Sequence, residues 1–306
     1  MSTKFNYAFT FSIMVLLVFS YITFLGLVYW QGGNFVVPIL LTLGLIALVL
    51  LCVFVMCISK ATRWKNIGTI GQVFFGFIIF ATLLCASLPF TNFLRVVQDS
   101  EDLYQKVNTT CDAAINLDKA YKEYVDSRIE NFKSNLIVIS KGKDINPTKY
   151  QECLGGASGA TDMDKIEGLA KSLYNKLLPE STSNIVKERH EWLESARSTT
   201  VWNPLTPKNI NKIDEEVNGY LDNYIKLSSV SYMGEESSPF TYDAFSNQIR
   251  GLMQTYGEFQ SPTLLALIIA LLCFVIMLLP YILTEPDIAG KEDKKSNKHH
   301  FHKHIR

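Results

Sequence analysis

Four long apolar stretches without a single Asp, Glu, Lys or Arg constrain this sequence more than any other feature. They cover about residues 8–30, 36–58, 67–90 and 263–284. A helix rises about 1.5 Å per residue, so each stretch can cross a hydrocarbon core about 30 Å thick. A spanning helix also satisfies its own backbone hydrogen bonds, so the sequence predicts four transmembrane helices. The first stretch is longer than the apolar region of a signal peptide, and we expect it to be retained.

The placement of Lys and Arg predicts how these helices are oriented. The link at 31–35 carries no charge, whereas the link at 59–66 carries three Lys or Arg and the tail at 285–306 carries six. Lys and Arg concentrate on the cytoplasmic side of a membrane. We therefore predict that both termini are cytoplasmic, that residues 92–260 lie outside, and that the membrane is a plasma or bacterial inner membrane.

Residues 92–260 have the composition of a folded domain. They carry 19 Lys and Arg against 25 Asp and Glu, whereas the rest of the chain carries ten and four. Their apolar residues recur at helical spacing, and their number suffices for a core. We therefore predict an all-α integral membrane protein. It has three spans within 1–91, an extracytoplasmic helical bundle over 92–260, a fourth span within 261–284, and a basic, His-rich cytoplasmic tail over 285–306.

The apolar pattern divides the predicted domain into five helices. A long amphipathic helix over about 92–139 has an apolar stripe that Asp118 and Arg128 interrupt. A break in it is expected near Pro89 or near Asn108–Thr110, and a loop follows over 141–162. The other helices are predicted at about 162–178, at 183–199, from an N-cap at Thr206 before Pro207, and from Tyr242 to Phe259.

Two of the six cysteines, Cys111 and Cys153, lie outside the predicted spans. Cysteines in an oxidising compartment commonly pair. The sequence therefore predicts a disulfide between Cys111 and Cys153, with two free thiols as the alternative.

Two short motifs resemble catalytic or nucleotide-binding sequences but lack essential residues. His190-Glu191 begins like a zinc-peptidase helix, yet Glu194 stands where the second histidine is needed. The glycine-rich run at 155–159 lacks the lysine of a phosphate-binding loop. We interpret them as a solvated helix face and a loop.

Two clusters of possible metal ligands have simpler explanations. Asp162, Asp164 and Glu167 lack the further ligands and the glycine of a calcium loop, and acidic residues favour a helix N-terminus. The tail histidines lack a folded frame, and a basic tail beside anionic lipid is the expected alternative. They are His299, His300, His302 and His304. We therefore predict no catalytic residue, no cofactor and no metal site.

Two further features concern modification and helix packing. Asn108 begins an Asn-Thr-Thr acceptor for N-glycosylation, which applies only in a eukaryotic host. Gly68, Gly71 and Gly76 in the third span are candidates for close helix packing. The spans contain no ionisable Asp, Glu, Lys or Arg of the kind that transport paths use, so a pore lining is the less favoured interpretation.

The layout of four spans with a large helical segment before the last resembles that of the tetraspanins. The resemblance is one of layout, because Cys153-Leu154-Gly155-Gly156 is not the Cys-Cys-Gly signature of that family. We expect a non-enzymatic protein whose outer domain binds or assembles with another membrane or extracytoplasmic protein, or with a second copy. The alternative is a channel or transporter formed by oligomerised spans. The expected partners include the lipid bilayer but no nucleic acid.

Overall fold

The computed structural model describes residues 3–61, 65–198, 200–232, 235, 238–242 and 252–284. Every regular element within these ranges is an α-helix. In chain order the helices are α1 (Thr3–Trp30), α2 (Val36–Ala61), α3 (Lys65–Gln98), α4 (Ser100–Lys141), α5 (Pro147–Leu154), α6 (Asp162–Leu177), α7 (Glu180–Arg197), α8 (Thr206–Ser228), α9 (Leu252–Thr255) and α10 (Leu264–Leu283).

The chain divides into two compact units. One comprises Met1–Gln98 together with Gln254–Arg306, and the other comprises Asp99–Met253. We call the first the membrane unit and the second the insert unit.

The membrane unit contains four helices that are long and apolar enough to cross a membrane: Asn6–Trp30, Val36–Lys60, Gly68–Gln98 and Leu264–Leu283. This finding confirms the prediction of four helices that are long and apolar enough to span a membrane. The third helix is longer than predicted because it continues through Pro89.

Helices α1 and α3 approach most tightly at a glycine that sequence analysis did not single out. A Cβ atom added at Gly26 would lie 1.8 Å from the carbonyl oxygen of Pro89. The Asn92 amide donates to the carbonyl oxygens of Gly26 and Tyr256, each at 3.1 Å. Phe19 and Phe90 stack between the same helices with centroids 5.2 Å apart. Glycine is therefore required at position 26 by the approach of two backbones.

The glycines predicted to allow close packing do not occupy such a position. A Cβ atom added at Gly71 would meet nothing within 4 Å. One at Gly76 would lie 3.8 Å from Met56 Cε, and one at Gly68 would lie 3.4 Å from the Ser59 carbonyl oxygen. These are ordinary van der Waals separations, so glycine is not required at positions 68, 71 and 76 in the way that it is at position 26.

The insert unit is organised along α4, which extends for about 63 Å at 1.5 Å per residue. Helices α5, α6, α7 and α8 pack against it. The buried core of the unit contains Leu117, Tyr121, Val125, Phe132, Leu136, Leu154, Ile166, Leu173, Leu177, Tyr224 and Phe240.

Several predicted element boundaries need correction. The break before the long helix lies at Asp99, and α4 is continuous through Asn108–Thr110. The predicted loop contains α5, because the Asn146 side chain caps the Lys149 amide and Pro147 occupies the first turn. Thr206 does not act as an N-cap, since its hydroxyl donates to the Thr200 carbonyl.

The last predicted helix of the domain, from Tyr242 to Phe259, lies partly outside the described residues. In its described part the helix covers Leu252–Thr255, and a turn follows in which the Gly257 amide donates to the Gln254 carbonyl at 3.0 Å. The helix therefore does not continue to Phe259 as predicted. The predicted tail over 285–306 lies outside the described residues.

Candidate functional site in the insert unit

Asp118, the first polar interruption of the α4 stripe, forms the centre of a buried polar cluster. Its side chain is 7% exposed. It accepts hydrogen bonds from Arg189 at 2.7 Å and from the Tyr224 hydroxyl at 2.6 Å, and His190 Nε2 lies 2.7 Å from its second oxygen. One carboxylate thereby connects α4 with α7 and α8.

Arg189 is held from two sides. Its guanidinium lies over the Tyr220 ring, 3.7 Å from the centroid, while one of its nitrogens bonds to Asp118. Burial and the Asp118 carboxylate raise the pKa of the Tyr224 hydroxyl well above its ordinary value, so this group remains a donor at neutral pH. Asp118 bonds to residues of both α7 and α8, so the cluster couples three helices, although Arg189 Nε has no hydrogen-bond partner among the described residues.

Arg128, the second interruption, forms a separate buried ion pair with Glu235. The two side chains are 4% and 2% exposed. Arg128 also donates to the carbonyl oxygens of Ser228 and Val230, where α8 ends, and to the Tyr124 hydroxyl. A cation at a helix C-terminus satisfies carbonyls that lack helical partners. Arg128 therefore ends α8 and anchors the segment after it to α4.

The end of the insert unit where α4 finishes and α6 begins is held by short polar contacts. Asp162 accepts from the Ser140 hydroxyl at 2.8 Å and the Tyr150 hydroxyl at 2.7 Å, which joins α6 to α4 and α5. Thr161 and Asp164 form a reciprocal capping box at the start of α6. These hydrogen bonds lower the pKa of the Asp162 and Asp164 carboxyls. We call this region the distal end, defined by residues 138–146 and 162–164.

The distal end exposes large apolar side chains. Ile145 is 90% exposed, Val138 is 69% exposed and Met163 is 53% exposed. They come from α4, from the following loop and from the first turn of α6. Single exposed apolar residues are common, and three in a region whose helices are joined through Asp162 make the distal end a candidate interaction surface.

A groove of about 370 Å³ lies beside the middle of the unit, lined in part by Phe132, Cys153 and Tyr232. The Tyr232 hydroxyl lies 2.8 Å from the Ser172 hydroxyl, and the Lys176 ammonium lies 4.5 Å from the Tyr232 ring centroid. Burial opposes ionisation of this hydroxyl, but Lys176 and Ser172 outweigh it and lower the pKa of Tyr232. These groups already contact one another, and they connect α6 with the segment after α8.

The predicted disulfide between Cys111 and Cys153 is not formed, and both thiols are free. Cys153 shares its groove with Phe132, whereas Cys111 lies beside Arg197 on α7. Cys111 and Phe132 are separated by about 30 Å of α4 at 1.5 Å per residue. A disulfide needs Cα atoms within about 7 Å, so the prediction is corrected. Burial raises the pKa of the Cys111 thiol, as expected for a core cysteine.

The remaining predicted positions are distributed over different parts of the unit. Asn108 is exposed on α4, while the Thr110 hydroxyl donates to the Lys106 carbonyl of the same helix. Among the described residues, no three His, Cys, Asp or Glu side chains form a group that could hold a metal ion. The tail histidines lie outside the described residues.

The sequence marks Asp118 and Arg128 as interruptions of the apolar stripe but does not indicate their partners. Arg189 and Glu235 lie 71 and 107 residues further along the chain. His190, interpreted as solvated, is 36% exposed and reaches Asp118. The interruptions themselves are a signal, because a charged side chain buried in an apolar helix stripe requires a hydrogen-bonded or oppositely charged partner.

No family model matches this chain, and no curated protein or solved structure matches it either.

Proposed function

We propose that this chain is a non-enzymatic membrane protein whose insert unit binds another protein in a membrane complex, with the distal end as the contact surface. The observation that carries the proposal is the exposure of Val138, Ile145 and Met163 on a frame held by Asp162. Apolar area removed from water stabilises association by roughly 25 cal/mol per Å². A rigid frame also reduces the ordering cost of binding.

The proposed topology places both termini in the cytoplasm and the insert unit outside, as a helical bundle, on a plasma or bacterial inner membrane. The charge-free link at 31–35 and the three Lys or Arg of the link at 59–66 support it. Lys60 donates to the carbonyl oxygens of Tyr281 and Ile282 at 2.7 and 3.0 Å. This contact brings the charged end of α2 beside the end of α10, and the sequence that follows α10 is basic, which supports the proposal.

Photocrosslinking in native membranes tests the proposed contact. A photoreactive phenylalanine analogue is placed at Ile145 and, as a matched control, at Ile185 on α7, which is 53% exposed. We expect a discrete crosslinked product from position 145 and none from position 185. A product at twice the mass of the chain identifies a second copy as the partner, and any other discrete mass identifies a different protein.

Substitution of the same residues separates binding from folding. Because both side chains are exposed, Ile145→Asp and Ile185→Asp should each change the free energy of unfolding by no more than about 0.5 kcal/mol. For this test the photoreactive analogue is placed at position 163 instead of Met163. Ile145→Asp should remove the crosslinked product from position 163, and Ile185→Asp should retain it. Equal crosslinking from positions 145 and 185, or a product from position 163 that Ile145→Asp leaves unchanged, would contradict the proposal.

A further inference from the structure

The groove of about 370 Å³ in the insert unit is lined by residues from four segments of the chain. Examples are Phe132 on α4, Glu152 on α5, Lys176 on α6 and Tyr232 after α8. The volume lies within the range of about 300–1,000 Å³ that is typical of small-molecule sites. The groove shares no residue with the distal end, so the proposed protein contact gives it no role.

Two side chains of opposite charge line this groove. Lys176 and Glu152 are both exposed, and neither forms an ion pair with the other or with any other described residue. Because the two charges do not neutralise each other, a ligand that fills the groove meets one cation and one anion.

The part of the groove beside Lys176 favours an anionic group. The Lys176 ammonium lies 4.5 Å from the Tyr232 ring centroid. Burial opposes ionisation of the Tyr232 hydroxyl, but hydrogen bonds with Lys176 and Ser172 outweigh it and lower the pKa of Tyr232. The positive charge that favours a phenolate here also favours a bound carboxylate. An ammonium has three N–H donors, so the contact with Tyr232 leaves others for a ligand.

The rest of the groove wall is mainly apolar. Cys153, Ala157 and Leu169 line the groove and are each partly exposed. A free thiol packs as a small apolar group, so these three residues present apolar surface to a ligand. The groove therefore combines one cation, one anion and an apolar wall.

This charge pattern restricts the ligand. A ligand with only a negative group would meet the Glu152 carboxylate, and one with only a positive group would meet the Lys176 ammonium. A neutral ligand would cover both charges without pairing either, which is unfavourable. A zwitterion pairs both charges, because its carboxylate accepts from Lys176 and its ammonium donates to Glu152.

We propose that this groove binds a small zwitterion with an apolar body, which is the chemistry of a free apolar amino acid or of a short apolar peptide. The ligand carboxylate accepts hydrogen bonds from Lys176 and Tyr232, and the ligand ammonium donates to Glu152. This inference does not depend on the protein partner proposed above.

Titration calorimetry on the full chain in lipid nanodiscs tests the proposal, with empty nanodiscs as the blank. The probes are L-leucine and L-leucyl-L-leucine, each compared with its N-acetyl derivative, which lacks the ammonium, and its amide, which lacks the carboxylate. We expect saturable binding of at least one zwitterion and binding at least about tenfold weaker for its derivatives, the effect of losing a hydrogen bond between charged groups. Binding of leucine identifies a free amino acid, and binding of the dipeptide alone identifies a short peptide.

Substitution of each charge assigns the two ends of the ligand. Lys176→Met should weaken zwitterion binding at least about tenfold and make the zwitterion and its amide bind equally. Glu152→Gln should make the zwitterion and its N-acetyl derivative bind equally. The matched controls Lys171→Met and Glu130→Gln remove exposed charges that do not line the groove, and both should bind as the wild type does.

Gly156 offers a steric test that leaves both charges in place. It lines the groove, and a Cβ atom added to it would meet no atom within 4 Å. Gly156→Leu should therefore fill the groove and remove binding. Gly219→Leu, at an equally unobstructed position on α8 that does not line the groove, should retain it. The proposal is overturned if neither zwitterion binds the wild type, or if the singly charged derivatives bind as tightly as the zwitterions.

Discussion

In the apolar part of the membrane unit, buried hydroxyls bond mainly within their own helix, whereas in the insert unit buried charges bond across the chain. Thr23 and Thr82 donate to carbonyls four residues earlier. Arg128 and Arg189 instead bind carboxylates on other segments, at separations of 107 and 71 residues. A hydroxyl that bonds to its own helix does not determine which helix packs beside it. Some spans are also joined by hydrogen bonds, because the Ser12 hydroxyl donates to the Ile276 carbonyl at 2.8 Å and Asn92 donates to the Gly26 carbonyl. The packing of the spans therefore depends mainly on shape, while that of the insert unit depends also on charge pairing.

This difference has a physical origin. An unpaired charge in hydrocarbon is unfavourable, so the spans carry uncharged polar groups that bond to a backbone carbonyl of their own or of a neighbouring helix. A domain with a watery surface can bury a charge if a partner is fixed beside it. The close approach of Gly26 to Pro89 is an example of packing by shape in the membrane unit. The pairing of Arg128 with Glu235 is an example of packing by a buried ion pair in the insert unit.

The largest expected effect comes from breaking a buried ion pair in the insert unit. Arg128→Met leaves the Glu235 carboxylate, 2% exposed, without its cation and removes the donors to Ser228 and Val230. We expect a loss of about 3–5 kcal/mol in the free energy of unfolding of this unit. Hydrogen exchange of peptides from α4 and α8 measures it, and peptides from α1–α3 should keep their protection.

The matched control is an exposed ion pair on the same helix. Lys119 and Glu123 lie 3.9 Å apart, with side chains 77% and 70% exposed. Lys119→Met should change stability by no more than about 0.5 kcal/mol. If Lys119→Met proved as damaging as Arg128→Met, burial would not explain the difference between the two pairs.

A smaller effect is expected from shape in the membrane unit. Gly26→Ala places a methyl group against the Pro89 carbonyl oxygen and forces α1 and α3 apart. Overpacking of this kind costs about 1–3 kcal/mol. Thermal unfolding in detergent measures the change. Gly71→Ala, at an unobstructed position, should be neutral or stabilising by up to about 1 kcal/mol, and equal losses in both variants would exclude the close approach as the cause.

The sequence predicts elements whose signals are local. The capping box of Thr161 and Asp164 marks the start of α6, and the absence of charge marks the four apolar helices. The short helix α5 was missed although Asn146-Pro147 is a local signal, because the surrounding glycines and lysines favoured a loop.

Features that depend on which helix faces meet were not predictable. The spacing of Gly68, Gly71 and Gly76 resembles a packing motif, but Gly26 occupies the actual close approach. Asp118 was visible as an interruption, whereas its bond to Arg189 depends on how α7 packs against α4. The disulfide was predicted from number and compartment alone, and the length of α4 prevents it.

The smallest expected effect is a pH dependence confined to the insert unit. Hydrogen bonds from Tyr150 and Ser140 lower the pKa of Asp162 below its ordinary value of 3.8. The folded state then binds this proton less readily than the unfolded chain, so the stabilisation is complete above pH 3.8 and is lost as the pH falls through the folded-state pKa. Comparing urea unfolding at pH 7 and pH 3, we expect Asp162→Asn to lose less stability than the wild type, by a small margin because Asp162 is partly exposed to solvent. Asp144→Asn in the adjoining loop is the matched control and should retain the wild-type difference.

An unchanged pH dependence in Asp162→Asn would show that the bonds joining α6 to α4 and α5 do not depend on this charge. The apolar spans of α1–α3 contain no carboxylate to titrate. Unfolding of these helices over the same pH range would therefore contradict the separation of the two units.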